Sequence, residues 1–355
     1  MSVKHGGDIY QYNKEVIDFS SNINPLGPPK ALKELFTSDL EHITRYPDRS
    51  YKKLRQAIAG FHEVSPEQIM VGNGAAEIIY ILGQLFSDKK AVVPEPTFSE
   101  YSHVLEINGG TPITVHRKPS QGFPLPQEKL AANLSRASGV FLCRPNNPAG
   151  KMSKLEELTQ ILPADKLIIS DESFLDFVPE GEDKSLLSRF SQWQNLIVLR
   201  SATKFFALPG LRLGYAVASR SIIEKLEAHQ PPWSVNSLAC RAGRIMYEQE
   251  NFRSRTLNWV QKERNFLQSK LDKLEAFTLF PGEANFFLLK IDNQAFTSAE
   301  LKQEIIKHDI LIRDAASFTG LDSYYFRVAV KTREKNEKLL SALATAADKL
   351  DSSPK

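Results

Sequence analysis

Lys204 is the residue in this chain whose surroundings most suggest covalent chemistry. The segment RSATKFFALPGLRLGY (200–215) follows the apolar run NLIVL, so its hydroxyls, lysine and arginine emerge at the carboxyl end of a predicted strand. Ser201 and Thr203 supply hydroxyl donors and Arg212 a guanidinium fork, a set suited to a phosphate dianion. A lysine crowded by cations and partly desolvated has a lowered pKa, which makes Lys204 a usable nucleophile toward an aldehyde. Most lysines in polar loops are ordinary surface charges. The context S-x-T-K…P-G-x-R-x-G-Y argues against that here.

Four further segments bear on the same chemistry. KLIISDESFLDF (166–177) sets Asp171 and Glu172 directly after another apolar run. Alone, such a pair could equally ligate a metal, cap a helix or bind a ribose. Beside Lys204 it suits a carboxylate, Asp171, that keeps a pyridinium nitrogen protonated so that the ring accepts electrons from a substrate Cα. Lys204 and Asp171 are thus the candidate catalytic residues, with pyridoxal 5′-phosphate as the cofactor. In RPNNPAG (144–150), Asn147 can offer its amide to the cofactor's 3′-oxygen, although these residues also make a plain structural turn. VGNGAAEIIYIL (71–82) is a glycine-rich bend opening a helix, and the free N–H groups after Gly74, at Ala75 and Ala76, would bind phosphate with help from the helix dipole. Glu77 stands where GxGxxG needs its third glycine and no GK[ST] follows, so Rossmann and P-loop readings fail. PEPTFSEY (94–101) offers Phe98 as a ring to stack on the pyridine, though an isolated aromatic is more often core.

Short apolar runs must position these groups. KAVVP (90–94), PITVH (112–116), GVFLC (139–143), KLIIS (166–170), NLIVLRS (195–201) and LGYAVAS (213–219) read as strands, with helical stretches such as GAAEIIYILGQLF and SKLEELTQIL between them. The second helix opens on Ser153 with Glu156 three residues on, a capping box. Strands apolar on both faces alternating with helices predict an α/β fold, a mostly parallel sheet with helices on both faces and ligands at the strands' carboxyl ends. After residue 250 a long charged helical stretch leads to strands ANFFLLKI (284–291), ILIRD and YYFRVAV (324–330), then a last helix. The expected division is an arm (1–35) that forms part of a small α+β domain, a large cofactor-binding domain (36–250) and the small C-terminal domain (251–355).

Composition narrows the class. Net charge is +3, from 45 basic and 42 acidic residues, too balanced for nucleic acid or an anionic membrane as the main partner. Two cysteines without CxxC spacing fit a reduced compartment. No apolar stretch reaches membrane-spanning length and the N-terminus has no signal-like apolar core. A cytoplasmic enzyme is expected.

These segments occur in the order found in the large aminotransferase-type superfamily of pyridoxal-phosphate enzymes, which the chain resembles from residue 18 to 332. The resemblance implies that fold and cofactor. It also implies a homodimer in which Tyr46, in RYPD, reaches across to the partner's cofactor phosphate. Within the superfamily, HGG (5–7), DFSSNINPLGPP (18–29), PPWSVNSLA (231–239) and LIRDAASFTGLDSYYFRVAV (311–330) resemble the threonine-phosphate decarboxylases of cobalamin biosynthesis, relatives of the histidinol-phosphate aminotransferases. The first and third are the more telling, because NPLG and an arginine strand are shared by both. By that resemblance His5, Gly6, Asn22 and Asn147 contact the substrate, Arg313 meets its phosphate and Arg327 its carboxylate. Three departures stand out. Phe174 replaces a tyrosine common in aminotransferases, Arg144 precedes PNNP where a small or polar residue is usual, and no cysteine-rich tail implies a metal site.

The residues themselves agree with this. Ala75, Ala76, Ser201, Thr203 and Arg212 account for the cofactor phosphate, which leaves Arg313 and Arg327 near the ends of two predicted strands. Buried arginines without anions are costly, so two of them point to a dianionic substrate, for which the resemblance implies a small phosphorylated amino acid. Pairing with surface carboxylates is the ordinary alternative. His5 adds a proton-dependent contact unless it is simply solvent-exposed. Three functions compete: decarboxylation of O-phospho-L-threonine (or O-phospho-L-serine) to an amino-alcohol phosphate for the cobalamin nucleotide loop, a histidinol-phosphate-type transamination, and a non-catalytic regulator on the same fold. Lys204, Asp171 and Arg212 argue against the third. No residue type separates the first two, because they differ only in which Cα bond stands perpendicular to the cofactor ring.

Overall fold

The computed structural model describes residues 5–38 and 40–352. Its strands, in chain order, are β1 (Ile17–Asp18), β2 (Ile69–Asn73), β3 (Lys90–Glu95), β4 (Thr111–His116), β5 (Gly139–Cys143), β6 (Leu167–Asp171), β7 (Leu196–Ser201), β8 (Leu213–Ala218), β9 (Phe277–Phe280), β10 (Phe286–Ile291), β11 (Ile310–Leu311), β12 (Arg313–Asp314) and β13 (Tyr325–Ala329). Seven form one sheet in the order β2-β8-β7-β6-β5-β3-β4. The pairs β3–β4, β3–β5, β5–β6 and β6–β7 are parallel, while β8 runs antiparallel to both β7 and β2. This is the mostly parallel sheet expected, with one reversed strand.

Every residue of β5, β7 and β8 is buried, because helices cover both faces. Alternate residues feed two cores. Phe141, Ile169, Ile197, Leu199 and Ala216 pack with Ile78, Val104 and Ile223 of the helices Gly74–Gln84, Glu100–Ile107 and Arg220–Glu227. Val140, Leu142, Ile168 and Val198 face the opposite way, toward Leu130 and Leu158. This parity decides where strand-end residues go, as the site shows.

Four antiparallel strands make a second sheet in the order β12-β13-β10-β9, backed by the helices Glu250–Leu271 and Arg333–Asp351. The arm joins it. β1 pairs parallel with β11 (Ile17↔Ile310), and fully buried Phe19 enters the same core, a burial worth roughly 1.5–3 kcal/mol. Two local expectations are corrected and one is extended. ILIRD breaks at Ile312 into two strands because its halves pair with different partners, β1 and β13. The capping box at Ser153 does not form: the helix is Leu155–Ile161 with Lys154 at its N-cap, and the buried Ser153 gives its carbonyl to Arg144 at 2.8 Å. The run before the glycine-rich bend is itself a strand, β2, so that bend is a strand-to-helix junction. Among the described residues no helix is long and apolar enough to cross a membrane.

Candidate active site

Strand β7 ends on Ser201, and the short helix Ala202–Phe205 carries Lys204. Lys204 Nζ donates to Ser201 Oγ at 3.0 Å, and Ser201 Oγ lies 2.7 Å from Thr203 Oγ1. Burial lowers the Lys204 pKa. Asp171 opposes that shift and Arg212 adds to it. Because β8 pairs with both β7 and β2, Ser201, Gly214 and Gly72 occupy neighbouring rungs, and the helix Gly74–Gln84 starts beside them. Two glycines allow the approach. A Cβ on Gly74 (φ +76°) would lie 2.4 Å from Arg212 Nη2, and one on Gly214 would lie 2.2 Å from the Ala75 backbone nitrogen. Asn73 makes no side-chain cap at that helix, whose first residue, Gly74, lies against Arg212. Hydroxyls, guanidinium and helix start together form a cradle that a phosphate dianion fits.

Parity then separates the two acids. Asp171 shares a face with Ile169 and accepts from Tyr101 Oη at 2.7 Å and from the Ser173 N–H at 2.9 Å. Glu172 turns to the other face, completely buried, where it pairs with Arg144 at 3.2 Å and accepts from Ser170 Oγ at 3.1 Å and the Leu186 N–H at 2.9 Å. That gives Arg144 its place as the partner of Glu172. Tyr101 was missed in the sequence, although it lies three residues after Phe98, at the second position of the helix Glu100–Ile107. Phe98 is half-buried, with its ring 5.6 Å from Tyr101 and 5.8 Å from His5.

A cavity of about 160 Å³ brings Lys204 together with His5, Gly6, Asn22, Asn147, Arg313 and Arg327. Arg313 and Arg327 stand directly opposite each other on the β12–β13 ladder, both buried. Like charges so placed repel. Arg327 donates to Asn147 Oδ1 and to the Ser20 carbonyl, at 2.5 and 2.6 Å, both neutral acceptors. Its Nε has no partner. Burial, with Arg313 beside it, pushes Arg327 down to about 9. Arg313 donates to Ser317 Oγ at 2.8 Å. Asn22 Oδ1 is buried and unbonded. Phe174 lines the cavity too, its ring 5.6 Å from Lys204 Nζ. Ser20, Ser21 and Phe318 also line it; they lie within the segments 18–29 and 311–330 but were not singled out there. Tyr46 lies elsewhere, 81% exposed and 4.8 Å from the Trp233 ring.

A parallel sheet of this order, with a lysine, a buried aspartate and a phosphate cradle at its carboxyl edge, defines a class. The family model for aminotransferases of class I and II matches residues 14–343, and the chain belongs to that family. Over 351 residues it is 35% identical to the threonine-phosphate decarboxylase of Salmonella typhimurium, covering 96% of this chain and 95% of that protein. It is 32% identical over 347 residues to a histidinol-phosphate aminotransferase of Methanothermobacter thermautotrophicus, covering 96% and 92%. Among solved structures, the L-threonine-O-3-phosphate decarboxylase of Porphyromonas gingivalis superposes with a TM-score of 0.83 at 26% identity, covering 93% of this chain and 99% of that one.

Proposed function

We propose that this chain is a pyridoxal-phosphate-dependent carboxy-lyase that releases CO₂ from O-phospho-L-threonine, leaving an amino-alcohol phosphate for the cobalamin nucleotide loop. The observation that carries it is the opposed pair Arg313 and Arg327 lining one cavity with Lys204. Two buried cations there call for a ligand with two anionic groups, and a phosphorylated amino acid has them. The likeness to threonine-phosphate decarboxylases supports the choice of reaction.

The residues fit the cofactor. Ser201, Thr203, Arg212, Gly74, Ala75 and Ala76 would hold its phosphate, Asp171 its ring nitrogen, Asn147 its 3′-oxygen and Phe98 a ring face. Bound there, pyridoxal phosphate supplies an electron sink for the Cα bond that breaks. Lys204 Nζ, poised on Ser201 Oγ, presents the amine that the aldehyde needs and holds a proton to give to Cα once the carboxylate has left. Tyr101 and the Ser173 N–H fix the Asp171 carboxylate so that it keeps the ring nitrogen's proton in place. Arg313 receives the substrate phosphate and Arg327 the carboxylate, with His5, Gly6 and Asn22 around them. One methyl group is worth about 1–3 kcal/mol in an apolar pocket, so O-phospho-L-serine is turned over too.

The test is incubation of the yellow holoenzyme with O-phospho-L-threonine, measuring CO₂ and 2-oxoacid separately. Release of CO₂ without 2-oxoacid is expected, and borohydride reduction should fix the cofactor on the peptide containing Lys204. Efficient conversion of histidinol phosphate with 2-oxoglutarate, and no CO₂ from either phospho-amino acid, would hand the assignment to the aminotransferase.

The same reading takes the protein to be a cytoplasmic homodimer, with Tyr46 serving the neighbouring site. The exposed Tyr46 and Trp233 rings and the nearby Ile43, 62% exposed, support it. Mixing Tyr46→Phe subunits with Lys204→Ala subunits pairs one doubly damaged site with one intact site. Activity above either parent is expected, and a monomer in solution would refute the arrangement.

A further inference from the structure

The HGG segment has a contact that substrate binding alone does not explain. His5 Nε2 lies 2.8 Å from Glu100 Oε1, and the other Glu100 oxygen accepts from Tyr80 Oη at 3.0 Å. Glu100 is buried at the start of the helix Glu100–Ile107, which packs on the large sheet, whereas His5 belongs to the arm. A carboxylate only accepts, so Nε2 carries the hydrogen and Nδ1 is the nitrogen left for a ligand.

The arm is shaped to make this reach. The Gly7 N–H donates to Ser20 Oγ at 2.7 Å, and Ser20 in turn donates from its backbone and its hydroxyl to Asp18 Oδ1 at 2.8 and 2.6 Å. A Cβ on Gly6 would lie 2.3 Å from the Ser20 carbonyl oxygen, and Gly7 has φ +85°, so neither position accepts a side chain without rearrangement. That same carbonyl accepts from Arg327 at 2.6 Å. Residues 5–7 therefore form a strap anchored on the arm at one end and on Glu100 at the other, with the imidazole among the residues lining the cavity.

We propose that Glu100 is a positioning residue that acts through His5: it holds the strap over the cavity and so sets the affinity for the phosphorylated end of the substrate. This rests on the reading that a phosphorylated amino acid occupies the cavity with His5 against it. An exposed histidine on a free arm would have to be ordered on binding. Glu100, itself fixed by Tyr80, orders it beforehand.

Binding of O-phospho-L-threonine and of histidinol phosphate to the holoenzyme, followed by the absorbance of the bound cofactor, reads this proposal whichever reaction ensues. CO₂ release reads the functional assignment separately. Glu100→Ala should weaken the phosphorylated ligand roughly tenfold or more. Its kcat at saturation should stay within about twofold, and weak binding of L-threonine should not change. Glu100→Gln, whose amide oxygen still accepts from Nε2, should recover part of the loss. His5→Ala/Glu100→Ala should bind no worse than His5→Ala. Unaltered affinity, equal weakening of L-threonine, or losses that add in the double variant overturn the proposal. If Glu100→Ala loses the cofactor, Tyr80→Phe takes its place: a smaller loss confined to phosphorylated ligands is expected, and none at all overturns the idea. Wild-type protein that binds neither ligand sinks both readings, while binding without CO₂ sinks only the decarboxylase.

Discussion

Two groups of buried or half-buried arginines in this molecule differ in what surrounds them. On one face of the large sheet Arg144, Arg200 and Arg253 meet Glu172, Asp176 and Glu182. Arg144 lies 3.2 Å from Glu172, Arg200 2.5 Å from Glu182, and Arg253 2.9 Å from Asp176. Burial alone would raise the Asp176 pKa, yet Arg253 and Arg200 hold it low. In the cavity the described lining is cationic or neutral. Arg313 faces Arg327, Lys204 lies within the same cavity, and no carboxylate is among the described residues that line it. The first group is neutralised by the fold. In the second, Arg327 is desolvated in advance, held by two neutral acceptors with its Nε unbonded. Buried charge of the first kind is tied into the fold, and in the proposed function the second kind is held for a ligand.

Replacing one arginine from each group should break the two in opposite ways. Arg327→Met frees two buried neutral acceptors but relieves the burial of a cation beside Arg313, so the loss of unfolding stability should be no more than about 1–3 kcal/mol, smaller than for Arg144. Turnover of O-phospho-L-threonine should fall by orders of magnitude, since an unpaired substrate carboxylate costs roughly 2–5 kcal/mol. Arg144→Met leaves Glu172 in the interior with only the longer contact to Arg200, 3.8 Å away, which should cost roughly 3–5 kcal/mol in urea unfolding while the folded fraction keeps its kcat. If both variants lose the same stability, the contrast between the two groups is false.

Much of that contrast was legible in the sequence, and the missing part has a physical reason. Apolar runs such as GVFLC and NLIVL announce buried parallel strands, so the fold class and the placing of Lys204 and Asp171 at strand ends followed directly. The division of labour between Asp171 and Glu172 needed the exact end of β6, because one residue of register sends a side chain to the other face. The Arg144 partner lies 28 residues away and the Ser20 acceptor of Arg327 307 away, pairings no local pattern encodes. Tyr101 sits in the PEPTFSEY run, but nothing local marks its hydroxyl as the donor to Asp171, 70 residues away. The strand β9 escaped notice because FTLF follows a long helix with few intervening turn residues. The HGG motif was visible, but the carboxylate it reaches was not.

The smallest expected effect tests how completely the first group is balanced. His62 sits inside that network, its side chain 3% exposed, with Nε2 2.8 Å from Tyr215 Oη and Nδ1 3.8 Å from Glu182. Burial, reinforced by Arg200 and Arg253 and only partly opposed by Asp176, lowers its pKa from 6.5 to about 3. The network has no place for a fourth cation. The sign follows from linkage: below pH 6.5 the unfolded chain takes up a proton that the folded chain refuses, so stability falls as pH drops from 6.5 toward 3 and is fully present above that window. Each tenfold difference in proton affinity is worth about 1.4 kcal/mol. Between about pH 7.5 and about pH 4.5, His62 should therefore cost the wild type on the order of 2–3 kcal/mol. His62→Gln keeps a hydrogen-bond partner for Tyr215 but cannot titrate. Urea unfolding of the two proteins at both pH values should show the variant losing less stability on acidification by that margin. Parallel losses would mean that the network accepts the proton after all, and that its three carboxylates are not fully committed to its three arginines.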